Sequence, residues 1–270
     1  MEDVQARPDD RGIAIDFAGI TGLRYPATVP LRDGGKQEAP CTISLAAGVL
    51  HTDKGTHMSR FLEALHDHAA DLAPAHARPL LDDLCQRLDI DRVRLDVSHE
   101  LFLTRHAPVT GAPSLLAYPT SFTAWLAGGE FGLTQRVEVL VTTLCPCSRD
   151  ISDRGAHNQR SRVTIEVAGN SQSEDAWTWP EDLIEVAEGA GSAPIYAVLK
   201  RPDERFVTMQ AYDNPVFVED VVRDVAGHLD AAGRFEWYRV RVESDESIHQ
   251  HNAFAELERG IRPSSASTVS

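Results

Sequence analysis

The sequence predicts an α+β fold in which antiparallel sheets carry their helices on one face. The main observation is a repeated order, because each half of the chain reads as two strands, two helices and two further strands. Helices segregated to one side of antiparallel strands are typical of this class. The second half begins after the glycine pair at residues 128–129, a composition that favours a turn.

Periodicity defines the elements of the first half. Apolar residues recur at helical spacing over residues 58–72 and over residues 77–88, which predicts two helices. Strands are predicted before and after them, at residues 20–31, 41–50, 93–104 and 114–126.

The second half repeats this order. Strands are predicted at residues 135–144, 162–168, 234–242 and 251–257. One helix is predicted over residues 180–188. Another is predicted to begin at Pro215, with Asn214 as its capping residue, and to end at Gly233.

The repeat divides the chain into two modules and two tails. The first module is residues 13–128, and the second is residues 129–258. Residues 1–12 and 259–270 are polar, and we expect them to be loose ends.

Composition limits the partners and the compartment. The net charge is −15, with 26 Lys and Arg against 41 Asp and Glu, so a nucleic acid would be repelled. The chain has no run of about 18–20 apolar residues, so no membrane span is expected. With four cysteines and no export signal at the start, we expect a cytoplasmic protein with free thiols.

The sharpest candidate site is the segment Cys145-Pro146-Cys147-Ser148, followed by His157. Pro146 ends the preceding strand, which places two thiols on a turn. Thiolate and imidazole are preferred ligands of Zn²⁺ and similar ions, so Cys145 and His157 are predicted metal ligands, with Cys147 as a further candidate. On spacing alone, a buried turn with inert cysteines and a hydrogen-bonded histidine is an equal alternative.

A second candidate segment contains Glu246, His249 and His251. If the segment is extended, both histidines lie on one side of it. These residues could act as acid and base groups or contact a phosphate. The alternative is an exposed polar turn.

Two further segments are candidates for anion binding. Lys200 and Arg201 could contact phosphate, or they could belong to a solvated turn. Residues 54–60, which include His57, open the first helix and could offer backbone N–H groups to an anion. The alternative for this segment is a plain helix start capped by Thr56.

Taken together, these segments resemble the GTP cyclohydrolase IB family. The matching segments occur in the family order over nearly the whole chain, and they are residues 53–61, 144–148, 156–161, 199–204, 214–220 and 247–249. The resemblance implies an enzyme that converts GTP and water to formate and 7,8-dihydroneopterin triphosphate, at the entry to folate and related pterins. It implies two tandem tunnelling-fold (T-fold) modules per chain, and a homotetramer with active sites between subunits.

The resemblance also implies a divalent metal, Zn²⁺, Mn²⁺ or Fe²⁺, and a role for each candidate residue. Cys145 and His157 match metal positions. The catalytic positions are Cys147, Glu246, His249 and His251. The substrate-binding positions are His57, Lys200, Arg201 and Met209.

Two positions depart from the family pattern. The family has an acidic metal ligand where this chain has Pro194, and a glutamate that binds the guanine edge where it has Met209. If residues 207–212 form a strand, Gln210 points away from Met209 and cannot replace that glutamate. Glu185 and Glu188 are candidates for the missing metal ligand.

Three functions are therefore open at this point. The first is an active GTP cyclohydrolase with altered anchors. The second is a family enzyme that hydrolyses a different heterocycle with the same metal chemistry. The third is a non-catalytic protein that binds a small molecule on the same scaffold.

Overall fold

The computed structural model describes residues 9–169 and 177–263 of the chain. Its strands are β1 (Ile15–Pro30), β2 (Lys36–Val49), β3 (Arg92–His106), β4 (Pro113–Ala127), β5 (Glu130–Leu144), β6 (Asn158–Gly169), β7 (Ala193–Pro194), β8 (Phe235–Asp245) and β9 (Ala253–Gly260). Most of the predicted tails, residues 1–8 and 264–270, lies outside the described residues.

Six α-helices lie within the described part of the chain. They are α1 (Met58–His68), α2 (Ala77–Leu88), α3 (Pro146–Ile151), α4 (Pro180–Ala190), α5 (Arg201–Asp213) and α6 (Val218–Ala232). Two short 3₁₀ turns, Ala69–Asp71 and Pro74–His76, connect α1 to α2. None of the helices in residues 9–169 and 177–263 is long and apolar enough to span a membrane.

The strands form one continuous antiparallel sheet. Its order is β1-β2-β3-β4-β5-β6-β8-β9, and the short β7 pairs with β5 beside this path. The prediction of tandem T-fold modules is therefore wrong, because the described strands of both halves belong to a single nine-stranded sheet.

The reason lies at the boundary between the two halves. Gly128 and Gly129 have φ angles of 57° and 85°, values that favour glycine and allow a two-residue hairpin turn. Ala127 pairs with Glu130 on either side of this turn. The turn thus joins β4 to β5 as neighbouring strands, and the sheet continues through the sequence boundary.

Two hydrophobic cores lie along this sheet. In the first, α1 and α2 pack on β1 to β4, and its larger members include Ile43, Leu45, Phe61, Leu65, Leu80, Leu81, Leu84 and Leu95. In the second, α4 and α6 pack on β5, β6 and β8, and its members include Val139, Val141, Val163, Ile165, Ile184, Val221, Val225, Leu229 and Val240. Burying each such aliphatic side chain contributes about 1.5–3 kcal/mol.

The sequence located several elements correctly. The predicted helix at residues 77–88 is confirmed as α2, and the helix predicted from residue 180 is confirmed as α4. The end of α6 at Gly233, with a φ of 63°, is also confirmed. The first helix is shorter than predicted, because it ends at His68, and its N-cap is His57 rather than Thr56.

Two predictions around α5 and α6 are wrong. Residues 207–212 belong to helix α5 and not to a strand. Asn214 ends α5, and its side-chain N–H donates to the Gly191 carbonyl at 3.1 Å, so it does not cap the next helix. Helix α6 begins three residues later than predicted, where the Phe217 N–H donates to Asp220 at 3.0 Å.

Candidate functional site

The end of β5 and the start of β6 bring the two predicted metal ligands together. Leu144 pairs with Asn158 in the ladder between these strands. One residue outward, the Cys145 N–H donates to the His157 carbonyl at 3.1 Å. The intervening chain contains α3 and returns to the same sheet end. Cys145 and His157 are therefore neighbours across the mouth of this loop.

Ser148 links both residues on the loop side. Cys145 is the N-cap residue of α3, and its Sγ accepts the Ser148 N–H at 3.4 Å. The Ser148 hydroxyl in turn accepts the His157 N–H at 3.1 Å. An N–H that donates to sulfur at a helix start suits a thiolate ligand. The loop is thus closed by three hydrogen bonds before any metal is bound.

Gln159 determines which nitrogen of His157 carries the proton. The amide oxygen of Gln159 lies 3.1 Å from His157 Nδ1. An amide oxygen only accepts hydrogen bonds, so Nδ1 must be the protonated nitrogen. The lone pair of the neutral ring is then on Nε2, which is the nitrogen that a metal can bind.

Glu246 approaches the same imidazole from the segment that follows β8. Its Oε2 lies 3.9 Å from His157 Nδ1, and its side chain is 11% exposed. A largely buried carboxylate therefore lies beside the Nδ1 side of the ring, opposite Nε2. Sequence reasoning selected Glu246, but the contact with His157 joins two segments that are almost 90 residues apart (157 and 246).

The other predicted catalytic residues lie on exposed surface near these elements. His249 and His251 stack on each other in the β8–β9 connection, with ring centroids 5.0 Å apart and an interplanar angle of 13°. Cys147 lies in the first turn of α3 and is exposed. The two histidines therefore form one aromatic pair at the tip of this hairpin.

A chain of buried hydroxyl groups lies across the strands behind the site. Thr143 Oγ and Ser161 Oγ are 2.7 Å apart, and Ser161 is also hydrogen-bonded to Ser244. All three residues are buried, and they join β5, β6 and β8. Sequence reasoning missed this chain, although polar residues at inward positions of otherwise apolar strands were a readable signal.

Helix α5 forms a wall beside α3. The Arg149 guanidinium of α3 lies over the Tyr212 ring of α5, 4.8 Å from its centroid. Met209 is one turn before Tyr212 on the same side of the helix, and 43% of it is exposed. Lys200 and Arg201 are at the start of α5, and both are exposed.

The carboxylates predicted to replace the missing metal ligand are engaged elsewhere. Glu185 pairs with Arg32, which lowers the pKa of Glu185. Glu188 pairs with Arg105 at 3.0 Å and accepts a hydrogen bond from Tyr118. Both carboxylates are thus paired with arginines in this chain, and a role for either as a metal ligand stays a prediction.

Pro194 lies beside the strand that leads to the predicted metal site. It pairs with Val141 of β5, four residues before Cys145. A proline side chain has no donor atom for a metal. His57, by contrast, precedes α1 on the first core, whereas Cys145 and His157 are at the end of strands of the second core.

The donor chemistry of this site fits a divalent cation in part. Cys145 supplies sulfur, and His157 supplies a nitrogen with a fixed tautomer, a pair that suits Zn²⁺ and related ions. Within residues 9–169 and 177–263 there is no group of three or more His, Cys, Asp or Glu side chains placed to hold a metal ion. Within the described residues, one chain thus offers two candidate donors, fewer than the three or four protein ligands of a typical zinc site.

Comparison with known proteins supplies the deciding observation. The family model described as GCHY-1, type I GTP cyclohydrolase folE2, matches residues 1–255. The chain belongs to this family. The predicted resemblance to a type I GTP cyclohydrolase is thereby confirmed, and the type is FolE2.

Curated relatives of this FolE2 family match along nearly their whole length. The GTP cyclohydrolase FolE2 of Nitrosomonas eutropha is 44% identical over 263 residues, which cover 97% of this chain and 97% of that protein. The FolE2 of Methylococcus capsulatus is 44% identical over 266 residues, covering 98% and 97%. That of Aromatoleum aromaticum is 42% identical over 259 residues, covering 96% and 93%.

Solved structures support the fold and nothing more. A highly active mutant of Bacillus sp. TB-90 urate oxidase aligns with a TM-score of 0.54 at 7% identity, covering 92% of this chain and 100% of that chain. The uricase from Arthrobacter globiformis aligns with a TM-score of 0.52 at 8% identity, covering 92% and 94%. These alignments extend over nearly the whole FolE2 chain.

Proposed function

We propose that this chain is a GTP cyclohydrolase in which Cys145 and His157 hold a divalent metal beside the bound purine. The observation that carries this proposal is their direct backbone hydrogen bond of 3.1 Å, together with a His157 tautomer that leaves Nε2 for a metal. The reaction is hydrolysis of GTP to formate and 7,8-dihydroneopterin triphosphate, a precursor of folate. Free thiols at Cys145 and Cys147 suit a reducing compartment, so we propose the cytoplasm as its location.

The metal and the surrounding residues have separate tasks in this proposal. Zn²⁺, Mn²⁺ or Fe²⁺, when bound, would supply activation of water at neutral pH. Gln159 keeps the proton on Nδ1 of His157, and the Glu246 carboxylate lies 3.9 Å from the same nitrogen. The proposed proton-transfer groups for ring opening and closure are Cys147, Glu246, His249 and His251.

The start of α5 is the proposed binding place for the triphosphate. Lys200 and Arg201 are adjacent, exposed cations at a helix N-terminus, where the backbone also favours an anion. The chain has a net charge of −15, which would repel the negatively charged triphosphate. A local pair of cations is therefore needed to bind it. The heterocycle would then lie along α5 toward Met209.

We further propose that the enzyme is a homotetramer with active sites between subunits. Strands β1 and β9 are the two ends of the described sheet, and open edges of this kind tend to pair with another chain. An interfacial site would also explain how His57 could bind substrate. His57 precedes α1 on the first core, the proposed metal ligands lie on the second, and a neighbouring subunit could bring the two together. Light scattering should give a mass of about four chains of 29.6 kDa each.

The direct test of the proposed function is formate release from GTP. The purified protein, loaded in turn with Zn²⁺, Mn²⁺ or Fe²⁺, should release one formate per GTP and form a fluorescent pterin after oxidation. Cys145→Ala and His157→Ala should each lower the rate at least about 100-fold, since loss of outer-shell partners alone costs about 10- to 100-fold. Cys85→Ala removes a thiol on α2 and should leave the rate unchanged. Absence of formate with all three metals would reject the proposal.

A second candidate function is hydrolysis of a different, more apolar heterocycle by the same site. Met209 favours it, because a thioether cannot accept the paired N–H groups of guanine, and donors left unpaired cost about 1–3 kcal/mol. If the second function is correct, Met209→Glu should raise kcat/KM for GTP about tenfold or more. Met209→Leu is the matched control and should not. If wild type already turns over GTP and Met209→Glu gains nothing, another group anchors guanine and the second function fails.

A further inference from the structure

Asp203 is a fully buried carboxylate in the first turn of α5. Its exposed fraction is 0%, and its two oxygens accept four hydrogen bonds. Oδ1 accepts the N–H groups of Val109 and Thr110 at 2.8 and 2.9 Å. Oδ2 accepts the Thr110 hydroxyl at 2.7 Å and the Lys200 N–H at 3.0 Å.

Three of these four donors belong to the loop that joins β3 to β4. One carboxylate therefore connects two segments that are about 90 residues apart (Thr110 and Asp203). Burial on its own raises the pKa of Asp203, but the hydrogen bonds from Thr110, Lys200 and Val109 outweigh burial and hold the pKa well below its usual range. The ionised carboxylate is thus the form that ties the loop to the helix.

The bond to Lys200 determines how the chain enters α5. Lys200 is the N-cap residue, and Arg201 is the first residue of the helix. Because Asp203 binds the backbone N–H of Lys200 itself, it sets the direction from which both cationic side chains project. The other end of α5 is held separately, by Asn214 on the Gly191 carbonyl.

We propose that Asp203 is a positioning residue that aims Lys200 and Arg201 at the triphosphate of the substrate, with Thr110 and the β3–β4 loop acting through it. This inference rests on the proposed function, because it takes Lys200 and Arg201 as phosphate ligands. Asp203 itself is buried, and its four hydrogen bonds go to the chain, so it acts through the two cations. It determines the positions of the Lys200 and Arg201 side chains.

Asp220 provides a matched control on a neighbouring helix. It occupies the corresponding position of α6 and accepts the Phe217 N–H at 3.0 Å. Its second oxygen binds Arg223 of the same helix at 3.1 Å. Asp220 is thus a helix cap of the same kind, on a helix that carries no proposed phosphate ligand.

The kinetic test compares Asp203→Asn with Asp220→Asn. The amide in D203N can accept only part of the four hydrogen bonds, and we expect the KM for GTP to rise about tenfold or more while kcat changes less than about threefold. Thr110→Val removes the hydroxyl donor that the β3–β4 loop gives to Asp203. It should also raise the KM for GTP, but less than D203N does. D220N should leave KM within about twofold of wild type, although it loses a helix cap.

A binding test separates this inference from the proposed function. Inorganic tripolyphosphate is titrated into wild type, D203N, T110V and D220N by calorimetry. If wild type releases no formate from GTP, the proposed function fails, and the titration alone decides the role of Asp203. Weaker tripolyphosphate binding in D203N and T110V, but not in D220N, supports the inference. Equal binding in all four proteins, or no binding by wild type, overturns it. If D203N does not fold, the comparison of T110V with wild type decides between these outcomes.

Discussion

The two proposed metal ligands are held by polar contacts to close neighbours and not by deep burial. Ser148 accepts the His157 N–H and donates its own N–H to the Cys145 sulfur, so one residue contacts the His157 backbone and the Cys145 thiol. Gln159 then fixes the tautomer of the imidazole, and Glu246 lies 3.9 Å from its Nδ1. Such outer contacts orient the two proposed ligands.

Gln159→Leu tests this residue-level account. Leucine cannot accept a hydrogen bond from the Nδ1–H group, so Gln159 no longer fixes the tautomer and the ring orientation of His157. We expect the affinity for Zn²⁺ to fall about 10- to 100-fold, measured by competition with a chromophoric chelator. Gln159→Glu keeps an oxygen acceptor at this position and should retain most of the affinity. Equal affinities in Q159L and wild type would show that Gln159 does not orient the ligand.

At the level of elements, local signals predict helices well and long-range pairing poorly. Helix α2 matches its predicted range because its apolar stripe is uninterrupted. A strand over residues 207–212, which was considered only for the direction of Gln210, is not observed, because these residues continue the helix that begins at Arg201 and Pro202.

The site shows the same division between local and long-range information. The Cys145 and His157 pair was predictable, because one loop joins the two residues. The contact of Glu246 with His157 and the Asp203–Thr110 bond were not, since each depends on the packing of distant segments. The Gly128-Gly129 pair marks the turn from β4 to β5, but no local pattern encodes that β6 pairs next with β8.

The connection between α4 and β7 gives a prediction at the level of elements. A Cβ added at Gly191 would lie 2.7 Å from Val141 Cβ and 3.2 Å from the Thr142 carbonyl oxygen. Gly191→Ala should therefore push β7 away from β5 and destabilise the protein by about 1–3 kcal/mol in urea unfolding. The matched control is Gly189→Ala on α4, where a Cβ meets nothing within 4 Å. It should stabilise by about 0.5–1 kcal/mol. A Gly191→Ala variant as stable as wild type would show that this contact is loose.

The molecule as a whole is one open sheet with two helical cores and many ion-paired carboxylates. Hydrogen bonds to Arg87 lower the pKa of Asp83, those to Arg32 lower that of Glu185, and those to Arg241 lower that of Glu243. For Asp203, burial opposes the effect, but the hydrogen bonds prevail and lower its pKa as well. The folded chain therefore holds these carboxylates in the ionised form more strongly than the unfolded chain does.

This asymmetry predicts the pH dependence of stability. A carboxyl group with a lowered folded pKa contributes its full stability above its unfolded pKa of about 4, and the contribution is lost as the pH falls toward the folded pKa. Burial also lowers the pKa of His99, so the urea midpoint should fall slightly as the pH drops below about 6.5 and more steeply below about pH 4. The decline should be shallower in D203N, which lacks one of these groups. A midpoint that rises on acidification would contradict the assignment.

The central claim is that Cys145 and His157 hold one divalent metal at which GTP is hydrolysed. The most direct measurement is metal content and formate release on the same purified samples of wild type, Cys145→Ala and Cys85→Ala. We predict about one metal ion per chain and formate release in wild type and C85A, and loss of both in C145A. Formate release by metal-free wild type, or undiminished metal and activity in C145A, would contradict the claim.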